Sequence, residues 1–122
     1  MAAKNNVIVE KAEHFADRVV KMYHYLAEKK TVNNDILRQI IRSGTSVGAN
    51  VSEGQYAQSK ADFLTKMSIA LKEANETRFW IERLYKGGLL TEQEYQSILN
   101  DNNELISILV KITGTVKKEL QK

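Results

Sequence analysis

Cysteine and proline are both absent from the 122 residues. Without cysteine there can be no disulfide, thiolate zinc site or cysteine nucleophile, and a reducing compartment is the natural setting. Without proline, and with only six glycines, the main helix breakers are missing and long stretches are free to remain helical. Strand signals are missing as well: there is no sustained alternation of apolar and polar residues and no Asn-Gly or Asp-Gly hairpin turn. No run approaches the roughly 18 apolar residues of a membrane span. The stretch Met1–Val9 has no apolar core of the secretory type, so the expected location is cytoplasmic.

The residues that are present describe a folding chain. A hydrophobic fraction of 43% beside 27% charged residues is that of a globular protein and not of a disordered one. The length fits one domain, 1–122, with a core of useful size. Eighteen Lys and Arg against fifteen Asp and Glu leave a net charge of +3. That surplus permits a nucleic-acid partner, though a solvated surface with slightly more lysine is the simpler account of it.

Apolar residues recur at three and four spacing in four segments. The first, 8–30, carries Ala12, Phe15, Ala16, Val19, Met22, Tyr23, Leu26 and Ala27. A polar break at 31–34 follows, with Asn34 as an N-cap. The second segment, 34–56, carries Leu37, Ile40, Ile41, Gly44, Val47, Gly48 and Val51. The third, 59–87, opens on Ser59 and Asp62 as a cap and carries Phe63, Leu64, Met67, Ala70, Leu71, Ala74, Thr77, Ile81 and Leu84. Gly87-Gly88 is a stop signal, because glycine takes the left-handed conformation at a helix end without steric cost. Thr91 and Glu94 then read as a capping box. The last segment, 91–120, carries Tyr95, Ile98, Leu99, Asn102, Leu105, Ile106, Leu109, Ile112, Thr113, Val116 and Leu120. Four such helices with short connections imply an all-α fold, an antiparallel up-down-up-down four-helix bundle.

On a wheel of about 100° per residue the second helix carries another coherent line: Gln39, Arg42, Ser46, Asn50 and Glu53. A solvent face would be mostly Lys and Glu. Short hydroxyl and amide groups with one Arg and one Glu can instead bond one another where water is excluded, since a buried polar atom without a partner costs about 1–3 kcal/mol. The line reads as a contact surface or a structural stripe. Gly44 and Gly48, four apart on the apolar side, allow a neighbouring backbone to approach and are read as packing. The third helix adds Ile69, Glu73, Glu76 and Trp80 outside its main apolar arc. Because Trp is enriched at interfaces, Ile69 and Trp80 beside the stripe favour self-association.

Catalytic and metal chemistry finds little footing. Neither His14 nor His24 has a Glu three residues before it, so the carboxylate di-iron pattern fails. Phosphate loops, dinucleotide fingerprints and nucleophile elbows are absent, and Ser43, Ser46 and Ser52 have no base that spacing could place beside them. Glu53 and Glu73 could face one another as acid and base, but bonding to Arg42, Asn50 or another subunit is their simpler role. No enzyme and no cofactor is expected.

The segment Gln39-Ile40-Ile41-Arg42-Ser43-Gly44-Thr45-Ser46-Val47-Gly48-Ala49-Asn50-Val51-Ser52-Glu53-Gly54, followed by Ser59, Phe63, Ala70 and Glu73, resembles the signature of the four-helix-bundle proteins encoded in intervening sequences of 23S rRNA genes. The chain departs from it at Ser43 and Ser52, where alanine is usual, and at Gln55-Tyr56-Ala57, where a basic residue often follows Glu-Gly. The resemblance implies a homo-oligomer, a ring of five. The related accessory variability determinant proteins of diversity-generating retroelements imply contact with RNA and with another protein.

The expected function is therefore that of a non-catalytic homopentamer binding RNA or DNA through a summed basic surface. The residues expected to carry it are Lys60, Lys66, Lys72, Arg78, Arg83 and Lys86, with Lys117 and Lys118 at the chain's end. A ring that displays a protein-binding surface, its charge serving solubility, is the alternative.

Overall fold

In the computed structural model, which describes residues 6–29 and 34–122, four helices account for nearly all of the chain. They are α1 (Asn6–Glu28), α2 (Asn34–Gly54), α3 (Lys60–Lys86) and α4 (Glu92–Leu120), and there is no strand among the described residues. None of these helices is long and apolar enough to cross a membrane.

The caps follow local chemistry. Ser59 Oγ accepts from the Asp62 amide at 3.1 Å, while the Asp62 carboxylate accepts from the Gln58 amide at 3.2 Å. At the head of α4, Thr91 Oγ1 accepts from the Glu94 amide at 3.1 Å and Glu94 Oε1 accepts from the Thr91 amide at 2.9 Å, closing the expected box. The end of α3 is a Schellman turn: the Leu89 amide donates to the Leu84 carbonyl and the Gly88 amide to the Tyr85 carbonyl. Of the two glycines there only Gly88 is left-handed, at φ 80°.

Two boundaries differ from the sequence reading. The second helix stops at Gly54, because Gln55, Tyr56 and Ala57 donate to carbonyls three residues back and draw the chain into tight turns. Helix α1 starts at Asn6 and ends at Glu28, while Lys30 and the polar break after it, up to residue 33, lie outside the described residues. Ala27 and Leu120, expected on apolar faces, are exposed because they sit in the last turns of their helices.

Cross-helix contacts fix the topology. Gly44 meets Val19 while Gly48 meets Ala12 and Ala16, so α2 runs against α1. Ser43 bonds Thr77 while Glu53 bonds Lys66, so α3 runs against α2. Lys60 pairs with Glu119 while Tyr85 stacks on Tyr95, so α4 runs against α3. The result is an up-down-up-down bundle, in which each helix packs on the next and a thinner α1–α4 contact closes the ring.

The core holds Phe15, Leu26, Leu37, Ile40, Met67, Ile81, Leu84, Leu105 and Leu109, all essentially inaccessible. A polar layer crosses its middle. Ser43, Thr77 and Asn102 are each fully buried; the Thr77 and Ser43 hydroxyls lie 2.9 Å apart, and Asn102 Nδ2 donates to the Ala74 carbonyl at 3.0 Å.

Candidate functional site

The polar stripe of α2 flanks the buried face on the side of α3. Arg42 is its hub. Its Nη1 donates to Glu73 at 3.0 Å, its Nη2 to Glu76, and its Nε weakly to Gln39 Oε1 at 3.5 Å. Glu76 also accepts from the Trp80 indole N–H at 3.1 Å. The Trp80 indole first, and then the Arg42 guanidinium, hold the Glu76 carboxyl below the usual carboxylate range, although partial burial opposes them. The same ion pair raises Arg42 further, Glu76 contributing more than Glu73.

The lower half of the stripe bonds elsewhere. Asn50 is half-buried and donates to the Ser46 carbonyl of its own helix at 2.9 Å. Glu53 reaches across to Lys66 Nζ at 3.1 Å. Two bonds therefore stay within the stripe, Arg42 to Gln39 and Asn50 to Ser46, and the charged groups cross to α3. Glu53 and Glu73 each face a cation of their own, so the two carboxylates are held as separate ion pairs. Beside this seam Ile69 is 37% exposed, whereas Trp80 is half-buried and packs against the edge of the core.

All but Arg83 of the candidate basic residues divide into two sets. Lys60 and Lys66 are tied to Glu119 and Glu53, at 3.5 Å and 3.1 Å. Lys72, Arg78, Lys86, Lys117 and Lys118 are exposed and make no ion pair among the described residues. Arg83 lies over the Phe79 ring, its guanidinium carbon 4.9 Å from the centroid.

Phe79 and Tyr56 are the residues that sequence reading passed over. Phe79 is 47% exposed and Tyr56, in the α2–α3 turn, 85%. The signal for Phe79 was available: it falls between the core positions Thr77 and Ile81, off their line, and one turn before Arg83.

A cleft of about 490 Å³ opens elsewhere, between α1 and α4, over Met22, Tyr25, Leu90 and Ile98 with Arg18 and Glu94 on its rim. None of the sequence-predicted site residues lines it. Among the described residues no group of three or more His, Asp or Glu side chains is placed to hold a metal ion.

A family profile described as 23S rRNA-intervening sequence protein matches residues 4–111. The chain belongs to that family. A crystal structure from Bacteroides thetaiotaomicron, described as a protein of unknown function from the S23 ribosomal protein family, shares 43% identity with this intervening-sequence protein. The likeness spans 87% of this chain and 97% of that one, with a TM-score of 0.83. No curated protein matches. Both descriptions carry a gene location or a family name and no activity, so what this family member does has to be argued from its surface.

Proposed function

We propose that the protein works by binding and assembly and not by catalysis, as a homo-oligomer that associates with RNA or DNA through the cations of α3 and the end of α4. The observation that carries this reading is the division of the cations. Those in the α2–α3 and α3–α4 seams are neutralised by carboxylates, while Lys72, Arg78, Lys86, Lys117 and Lys118 stand exposed and form no ion pair among the described residues, although Glu76 lies within the field of Lys72. Exposed unpaired cations attract polyanions, and several subunits sum that field over one object. Assembly is supported by the α2–α3 face, where Ile69 and Trp80 flank an already satisfied ion-pair cluster. Five copies is the number the family resemblance implies.

Light scattering of the purified protein, with retention of labelled RNA and DNA measured at rising salt, tests both halves. A mass above one chain and retention that falls steeply with salt are expected. A monomer, or retention indifferent to salt, removes the corresponding half.

Tyr56, 85% exposed in the α2–α3 turn, favours a second reading, a scaffold that binds another polypeptide. A specific partner captured from nuclease-treated lysate, and lost in Tyr56→Ser, would support it over the nucleic-acid reading.

A further inference from the structure

The outward line of α3 has the make-up of a stacking platform. Lys72, Phe79, Arg83 and Lys86 follow one another at seven, four and three residues, spacing that keeps them on one side of a helix. At 1.5 Å per residue the line extends about 21 Å. Phe79 stands in its middle, 47% exposed and contributing nothing to the buried core.

That ring is held in place. Trp80 meets it edge-on with centroids 4.9 Å apart, and the Arg83 guanidinium lies over it at 4.9 Å. Glu76 falls on the line itself, four residues after Lys72 and three before Phe79, and Glu82 lies beside it; both are half-buried, and the Glu76 carboxylate, which also feels Lys72, is bonded to Arg42 and Trp80. What the line offers outward is an exposed aromatic ring with a planar cation laid over it, two lysines, and one carboxylate already taken up by Arg42.

The complementary ligand has a flat π-face and negative charge on either side of it. A nucleobase with its flanking phosphates fits this description. In a duplex the base faces are hidden in the stack, so only an unpaired strand presents the face and the phosphates together. We infer that the outer line of α3 binds single-stranded nucleic acid, one base stacking on Phe79 and Arg83 while neighbouring phosphates meet Lys72 and Lys86. The inference rests on the nucleic-acid reading above and narrows it to a strand type and a residue.

The test is titration of the full chain at low salt with a short labelled single-stranded adenine oligonucleotide and with a blunt duplex of the same length. Anisotropy reports binding, and Trp80, the single tryptophan, reports contact at the neighbouring ring. The single strand is expected to bind about tenfold more tightly than the duplex and to change Trp80 fluorescence. Phe79→Ala should remove about tenfold of single-strand affinity and leave duplex affinity unchanged, and Phe79→Tyr should restore most of it. Lys72→Ala and Lys86→Ala should weaken both probes and shallow the salt dependence. Phe79 is exposed, so these variants are expected to fold, and circular dichroism checks that they do. Equal affinity for both probes with Phe79→Ala silent overturns the stacking assignment and leaves the electrostatic reading in place. No retention of either probe overturns both. Binding of polyglutamate with the same dependence on Phe79 would reassign the line to an acidic protein partner.

Discussion

At Gly44 the space for a side chain is already taken. A Cβ there would lie 2.8 Å and 2.9 Å from the two methyls of Val19, inside van der Waals contact, and both residues are buried. Gly44→Ala should therefore cost about 1–3 kcal/mol, read as a lower urea midpoint with unchanged slope. Gly114 in α4 is the control, since a Cβ there meets nothing within 4 Å. Gly114→Ala should add up to about 1 kcal/mol, because alanine restricts the unfolded chain and suits a helix interior. A loss of stability at Gly114 instead would mean that an assembly contact covers it.

Glu76 makes a second prediction at this scale. Its carboxyl, held by Trp80 and Arg42, titrates below its usual value of 4.5 in the folded protein. A carboxylate of depressed folded pKa contributes stability above its unfolded pKa and loses that contribution as pH falls toward the folded value. Glu76→Gln should accordingly cost about 1 kcal/mol or less at neutral pH, since a third of the side chain remains in water and screens the pair. The gap to the parent protein should close as denaturation midpoints are followed from pH 6 to about pH 3. A constant gap across that range would assign the loss to packing.

Among elements, α4 depends most visibly on local sequence. Its capping box supplies partners for two amides, one in each direction between Thr91 and Glu94. Thr91→Ala should lower stability by about 1 kcal/mol. Adding Glu94→Ala should cost less than the sum, because the reciprocal bonds form one unit. A fully additive pair in thermal melts would show two independent caps. Features of this kind were legible in the sequence because they connect residues three apart. The four helices, both side-chain caps and the glycine stop after α3 all belong to that class. The Gly44 and Gly48 packing was legible too, since small residues on an apolar face leave little else to expect.

The stripe was legible only as an angle. A helical wheel assigns Gln39, Arg42, Ser46, Asn50 and Glu53 to one side of α2 but does not say which helix lies beside that side. Once α3 is there, Arg42 finds Glu73 and Glu76, and Glu53 finds Lys66. The same limit hid the division of the cations, because Lys66 and Lys72 look alike until their neighbours are placed. The position of Phe79 off the core line of α3 is legible from spacing, but its pairing with Trp80 and Arg83 follows only from side-chain placement.

For the whole molecule, the succession of helices makes an uneven ring. Helices α2 and α3 are each packed extensively on both sides, while α1 and α4 share the thinnest seam, and the cleft opens in it. Two polar clamps hold that seam. Lys11 pairs with Glu104 at 3.0 Å, and Arg18 grips Asp101 at 2.6 Å together with the Ser97 carbonyl and hydroxyl at 3.2 Å and 2.9 Å. The Arg18 clamp is about one-third exposed and multiply bonded, so Arg18→Ala should cost about 1–2 kcal/mol. The loss should be local: hydrogen exchange should quicken in the second half of α1 and the first half of α4 before it changes in α2 or α3. Because this seam lies away from the proposed α2–α3 assembly face, the light-scattering mass of Arg18→Ala should equal that of the parent protein. A smaller mass would move the assembly contact onto the α1–α4 seam and leave Ile69 and Trp80 as ordinary surface.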